Sequence, residues 1–204
     1  MSTLTFYTNP MSRGRIVRWM LEEVGEPYET VLLDFGTTMK APEFLAINPM
    51  GKVPAIRHGD TIVTEAAAIC AYLADAFPRK NFAPPLDDRG AYYRWLFFAA
   101  GPVEAAVTNK SQGFVSDKKR MLGYGSYEDT MNALEQAVSR SDYVCGDHFT
   151  AADLYVGSQI GWGLMFGTID KRPAFEAYVA RLRSRPAARR ASELDDALIP
   201  KQKP

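Results

Sequence analysis

Ser12 stands between an alternating apolar stretch, Leu4 to Thr8, and a helical pattern that opens at Arg13. A hydroxyl at that place has two uses. It can cap the helix by accepting a backbone N–H, or it can donate a hydrogen bond to an anion drawn to the positive end of the helix. Glu65 precedes another helical stretch, Ala66 to Phe77, where a carboxylate either suits the helix start or meets a cationic group. Thr150 and Asp153 sit at the spacing of a capping box, in which hydroxyl and carboxylate satisfy the first amides of a helix. Other chemistry is excluded by inspection. The chain has no G-x-G-x-x-G, no G-x-x-x-x-G-K-[ST], no H-E-x-x-H and no G-x-S-x-G. Two histidines, His58 and His148, argue against a multi-histidine metal site, and no metal is expected. Cys70 and Cys145 form no C-x-x-C pair and read as small buried hydrophobes, not as a disulfide framework or a redox dithiol.

The elements that must hold these residues divide the chain in two. Up to Phe77 the pattern changes every ten or so residues, as in a mixed α/β unit. Leu4 to Thr8 is a strand, and Arg13 to Val24 is a helix with Ile16, Val17, Met20, Leu21 and Val24 on one face and Gly25 as its stop. Thr30 to Asp34 is the second strand, and a short helix follows. Val53 to Arg57 and Thr61 to Thr64 flank the turn triplet His58-Gly59-Asp60 as a hairpin. The proline-rich, charged run from Pro78 to Gly90 lacks periodicity and reads as a connector. Beyond it, helices are predicted over Ala91 to about Lys110, Ser116 to about Gly123, Tyr127 to Ser139, Ala151 to about Met165, and Arg172 to Arg183. The expected domains are therefore 1–77, a linker at 78–90, and an all-α domain at 91–204.

Composition narrows the function classes. The chain of 204 residues is 47% hydrophobic with 24 basic and 24 acidic side chains, enough to bury a core without staples and too balanced in charge for a general polyanion binder. No nucleic-acid partner is expected. The opening residues lack a signal-peptide pattern, and the apolar runs Trp95 to Val103 and Ile160 to Ile169 fall short of the ~20 residues that span a bilayer. With its few cysteines, the chain is expected to be a cytoplasmic protein with no membrane partner. The arginines at 181, 183, 185, 189 and 190, followed by Glu193, Asp195 and Asp196, read as a solvated helix end.

The runs FYTNPMSRGRIVRWMLEEVGEPYE, MKAPEFLAINPMGKVPAI, TEAAAICAYLADAFP, YVCGDHFTAADL and RPAFEAYVARLRSRP, taken in order, resemble the cytosolic glutathione transferase superfamily from the start of the chain nearly to its end. The resemblance implies a fold of an α+β, thioredoxin-like N-terminal domain (βαβαββα) followed by an all-α C-terminal helical bundle. It further implies glutathione as co-substrate, a small apolar electrophile and a homodimer. Ser12 resembles the catalytic serine of the bacterial and plant-type classes. Where the tyrosine-type classes carry their catalytic tyrosine this chain has Asn9, and Tyr7 is two residues too early, so Tyr7 is a lesser candidate donor.

The resemblance also implies a binding site for the tripeptide. Val53-Pro54 matches the family's cis-proline, with the Val53 backbone meeting the cysteinyl unit like a short strand; a trans proline opening an edge strand is the structural alternative. Lys40 and Lys52 match positions that hold the glycyl carboxylate. Glu65 would take the γ-glutamyl ammonium, while the amide of Ala66 receives its α-carboxylate. Ala66 departs from the family, which commonly has serine there, and the lost hydroxyl is worth on the order of 1 kcal/mol. That departure leaves room for a non-catalytic scaffold on the same fold, or for a glutathione-dependent isomerase, dehalogenase or lyase. Tyr92, Trp95, Leu96, Phe98 and Ala99, with Trp162, Met165 and Phe166, are mostly expected in the helical core, with a minority lining an electrophile pocket.

Overall fold

Alternating buried and half-buried residues make Leu4–Thr8 (β1) a strand whose Phe6 faces the core, and Gly14–Val24 (α1) follows it. The computed structural model describes residues 3–199. Next in chain order come Glu29–Leu32 (β2), the one-turn helix Pro42–Leu45 (α2), the hairpin strands Ala55–His58 (β3) and Thr61–Thr64 (β4), and Ala66–Ala76 (α3). The sheet order is β2-β1-β3-β4, with β1 and β2 parallel and the other pairs antiparallel. This βαβαββα order is the thioredoxin-like arrangement expected from the sequence.

The chain divides into two units, and the division departs from the expected one at the C-terminus. One unit runs up to Lys80 and takes back the chain from Arg185 onward; the other is Asn81–Ser184. A last helix, Pro186–Asp196 (named α9 below), thus returns to the α/β unit and packs on α1, although the sequence assigns it to the all-α domain. The physical reason is a buried ion pair. Arg18 on α1 donates through Nε to Asp195 Oδ1 at 3.1 Å, and through Nη1 to Tyr28 Oη and Thr30 Oγ1, each at 2.9 Å. Its guanidinium also lies 5.0 Å from the Phe6 ring centre. Arg185 pairs with both carboxylate oxygens of Glu23 at 2.6 and 2.8 Å, so this arginine is no solvated end. Covered by the sheet and by α9, α1 is buried nearly all round, from Ile16 through Leu21.

The second unit is helical, as expected: Gly90–Phe98 (α4), Glu104–Ser111 (α5), Tyr127–Arg140 (α6), Ala151–Phe166 (α7) and Pro173–Arg183 (α8), before α9. Between α4 and α5 the chain widens into a π-helical turn, Ala99–Val103, around Pro102, which has no N–H to give to a regular helix. The helix predicted over Ser116 to about Gly123 is absent; only a 3-10 turn, Lys119–Met121, forms there. Lys118, Lys119, Arg120 and Met121 are all exposed, so the stretch has no face to bury and nothing to stabilise so short a helix. The glycines of α7 have a packing role. A Cβ on Gly157 would overlap Leu182 of α8, and one on Gly163 would overlap Ile169, so small residues let the chain approach closely.

Candidate active site

Strand register gathers the predicted site residues at one end of the sheet. Tyr7 of β1 is opposite Ala55 of β3, and Ala55 is opposite Thr64 of β4. The end of β1, the start of β3 and the end of β4 are therefore neighbours. Ser12 lies four residues beyond β1, Val53-Pro54 lead directly into β3, and Glu65-Ala66 follow β4 at once. No single stretch of sequence contains this site; the sheet assembles it.

The turn from β1 into α1 is held by Asn9. Its Nδ2 donates to Leu33 O at 2.8 Å and its Oδ1 accepts from Met11 N at 2.9 Å. Ser12 Oγ donates to Asn9 O at 2.7 Å and accepts from Gly14 N at 2.9 Å. Ser12 is not the N-cap itself, which is Arg13 without a side-chain cap; from one residue earlier it satisfies the first helical amide, Gly14 N, and its side chain is half-buried. Tyr7 packs its ring against Phe44 at 5.7 Å, in a cluster with Leu33, Met39 and Ala55. That places its ring in packing, as the strand's alternation requires.

The segment before β3 brings in both lysines, Lys40 ahead of α2 and Lys52 after it. Asn48 is buried, accepting from Met50 N at 3.1 Å and donating to Lys52 O at 2.7 Å. Lys40 Nζ donates to Met50 O at 2.8 Å. Its side chain crosses Gly51, where a Cβ would stand 2.9 Å from Lys40 Nζ and 2.6 Å from Met39 O. Gly51 also has φ of +56°, so only glycine suits both the turn and the close approach. Lys52 is exposed. The Val53-Pro54 peptide bond is cis. Asn48 is a residue that sequence reasoning missed as an organiser of this loop; the Asn48-Pro49 dipeptide, a turn signal, was the available cue.

Glu65 is exposed and has φ of 67° and ψ of 120°. For a residue with a side chain such a conformation costs about 1–3 kcal/mol, and strain of this kind collects at functional sites. It directs the chain from β4 into α3, whose first residue is Ala66. Lys40 and Lys52 on either side of α2, and Glu65 with the opening of α3, supply this end of the sheet with cations, an anion and amide donors.

Residues 2–75 match the family described as the glutathione S-transferase N-terminal domain. Over 184 residues the chain is 26% identical to glutathione S-transferase GstA of Escherichia coli O157:H7, covering 87% of this chain and 89% of that protein. A crystal structure of a glutathione transferase from Methylococcus capsulatus superposes with a TM-score of 0.80 at 27% identity, over 97% of this chain and 100% of the other. Over nearly its whole length the chain is thus similar to glutathione transferases. A sphingomonad glutathione S-transferase, solved in complex with glutathione, matches at 28% identity and a TM-score of 0.76, over 94% of this chain and 98% of that one.

The matched glutathione S-transferase segment spans every predicted site residue from Ser12 to Ala66. Neither cysteine is a ready nucleophile. Burial pushes the Cys70 thiol far up, and burial, with smaller effects from Asp153 and Asp88, raises Cys145 to about 11. Among the described residues no cluster of three or more His, Cys, Asp or Glu side chains could hold a metal ion, and no helix is long and apolar enough to cross a membrane. In the helical unit Tyr92, Trp95, Leu96 and Ala99 are buried, as core, while Met165 and Phe166 are exposed.

Proposed function

We propose that the chain is a serine-type glutathione transferase in which Ser12 stabilises the glutathione thiolate for attack on a small apolar electrophile. The observation that carries this reading is the gathering of Ser12, Val53-Pro54, Lys40, Lys52 and Glu65-Ala66 at one end of the sheet, with the cations on the segment before β3 and an anion after β4. A tripeptide with a carboxylate at one end and an ammonium plus carboxylate at the other has complementary charge. The Lys40 and Lys52 ammonium groups take the glycyl carboxylate, Val53 offers its backbone to the cysteinyl unit, Glu65 takes the γ-glutamyl ammonium, and the Ala66 amide takes the α-carboxylate. These contacts direct the sulfur to the opening of α1.

The chemical task is to make that sulfur an anion. A free thiol of pKa about 8.5 is only a few per cent ionised at neutral pH, and lowering it by ~2 units requires ~2.7 kcal/mol of preferential stabilisation. Ser12 supplies one donor once its proton turns from Asn9 O toward the sulfur, and the positive end of α1 supplies the rest. The thiol proton leaves to water. The sulfur lone pair then forms the S–C bond while a leaving group departs with its bonding pair, or while an electron pair moves onto a conjugated acceptor. The same reading includes a two-fold homodimer, to be checked by sedimentation.

An ultraviolet titration of bound glutathione tests this. The wild-type complex should ionise well below the free thiol, and Ser12→Ala should return most of that shift and lower kcat at neutral pH by roughly 10- to 100-fold. A bound thiol no more acidic than the free one overturns the reading.

A further inference from the structure

Thr8, the last residue of β1, is fully buried, and its Oγ1 has no hydrogen-bond partner among the described residues. An unpaired buried hydroxyl is costly, and a site shaped only for packing favours valine, which has the same shape without the oxygen. The hydroxyl is aimed at the opening of α1. A Cβ added to Gly14 would overlap Thr8 Oγ1 and would stand 3.0 Å from Ser12 Oγ. Two hydroxyl groups therefore converge on the space that Gly14 leaves by having no side chain.

Ser12 Oγ directs its single proton to Asn9 O and accepts from Gly14 N, which leaves one lone pair for a further donor. Thr8 is the buried donor without a partner beside it. We infer that Thr8 is a positioning residue for Ser12: when the Ser12 proton turns from Asn9 O to the glutathione sulfur, the Thr8 hydroxyl donates into the remaining lone pair of Ser12 Oγ. Gly14 N–H and Thr8 O–H then hold the serine oxygen from behind while its own proton faces the sulfur. Accepting this second hydrogen bond polarises the serine O–H and makes it a stronger donor. The inference rests on the glutathione reading above, and it assigns to Thr8 a role that packing alone does not explain.

The test uses the full chain with glutathione, comparing wild type, Thr8→Val, Thr8→Ser and Ser12→Ala, and Thr8→Val combined with Ser12→Ala. Thr8→Val should melt no lower than wild type without glutathione, since it removes an unpaired polar atom. It should nevertheless raise the pKa of the bound thiol, move the rising limb of the kcat profile to higher pH and cut kcat at neutral pH by roughly three- to tenfold, with KM for glutathione nearly unchanged. Thr8→Ser should restore the wild-type profile, and in the Ser12→Ala background Thr8→Val should do nothing more. Should the valine fail to fold, Thr8→Ala is read in the same way. A Thr8→Val or Thr8→Ala protein with wild-type thiol acidity overturns the inference, and so does an equal loss with and without Ser12. If the wild-type thiol is not acidified at all, the glutathione reading itself has failed, which is a separate result.

Discussion

Two helix openings in this molecule use hydroxyl side chains in opposite ways. At the start of α7 every polar group that the buried Asp153 can reach is paired. Its Oδ2 accepts from Thr150 N at 2.8 Å and Thr150 Oγ1 at 2.9 Å, and its Oδ1 accepts from Val144 N and Tyr178 Oη, each at 2.7 Å. At the start of α1, Ser12 holds one amide, and the Thr8 hydroxyl beside it is buried without a partner. A saturated network of this kind fixes a fold and has no capacity left for a ligand. The incompletely paired opening has donor capacity in reserve, and it is the one that adjoins the edge where the residues proposed to bind glutathione collect.

Emptying the closed opening should have the largest effect. Asp153→Ala strands the Val144 and Thr150 amides and the Tyr178 hydroxyl, all in the interior of the helical unit. The expected loss is at least ~3 kcal/mol of stability, or a fall in melting temperature of roughly 6–12 °C. Below that temperature the acidity of bound glutathione should be unchanged. A variant that melts like wild type, or one that melts lower and also loses the thiol shift, would erase the contrast between a structural and a chemical helix start.

A third opening lies between the two, and changing it should have a smaller effect. The α3 start has an exposed Glu65 at φ of 67° and, as its first residue, an alanine, where on the proposed reading a hydroxyl would add one more contact to glutathione. Ala66→Ser should tighten glutathione by about 1 kcal/mol, some fivefold in Kd by calorimetry, with kcat at saturation nearly constant. Unchanged affinity would mean that the α-carboxylate is not bound at that helix start.

How much of this was legible in the sequence follows from the range of the forces involved. The strand Leu4–Thr8, the α1 face and the Thr61–Thr64 hairpin partner follow local periodicity, whereas Ser12, Val53-Pro54 and Glu65, at the ends of those elements, were singled out as site residues by the resemblance of their segments to glutathione transferases. The return of α9 to the α/β unit could not be read. Its anchor is a pair between Arg18 and Asp195, separated by 177 positions, and a string of charged residues there looks like a solvated end. Thr8 was equally hidden, because a threonine in a strand is ordinary; only burial and the approach of Gly14 show a hydroxyl without a partner beside Ser12.

The smallest effect concerns a thiol at the closed opening, set against the sulfur proposed for the open one. Thr150 Oγ1 contacts Cys145 Sγ at 3.7 Å, and burial, the largest cause, raises that thiol from 9.0 to about 11 despite the hydroxyl. A raised thiol pKa favours the folded state while the group stays protonated, so this contribution is fully present below pH 9.0 and is lost as pH climbs toward about 11. In a Cys70→Ala background, alkylation of native Cys145 should keep accelerating past pH 9.0 and level only near about 11, with stability to denaturant falling across the same interval. Glutathione at the α1 opening should by then have been fully ionised for several pH units. Were Cys145 to level well below 9.0, a hydroxyl beside a helix start would be enough to acidify a thiol anywhere in this fold, and the particular arrangement of Thr8, Ser12 and Gly14 would lose its claim to be special.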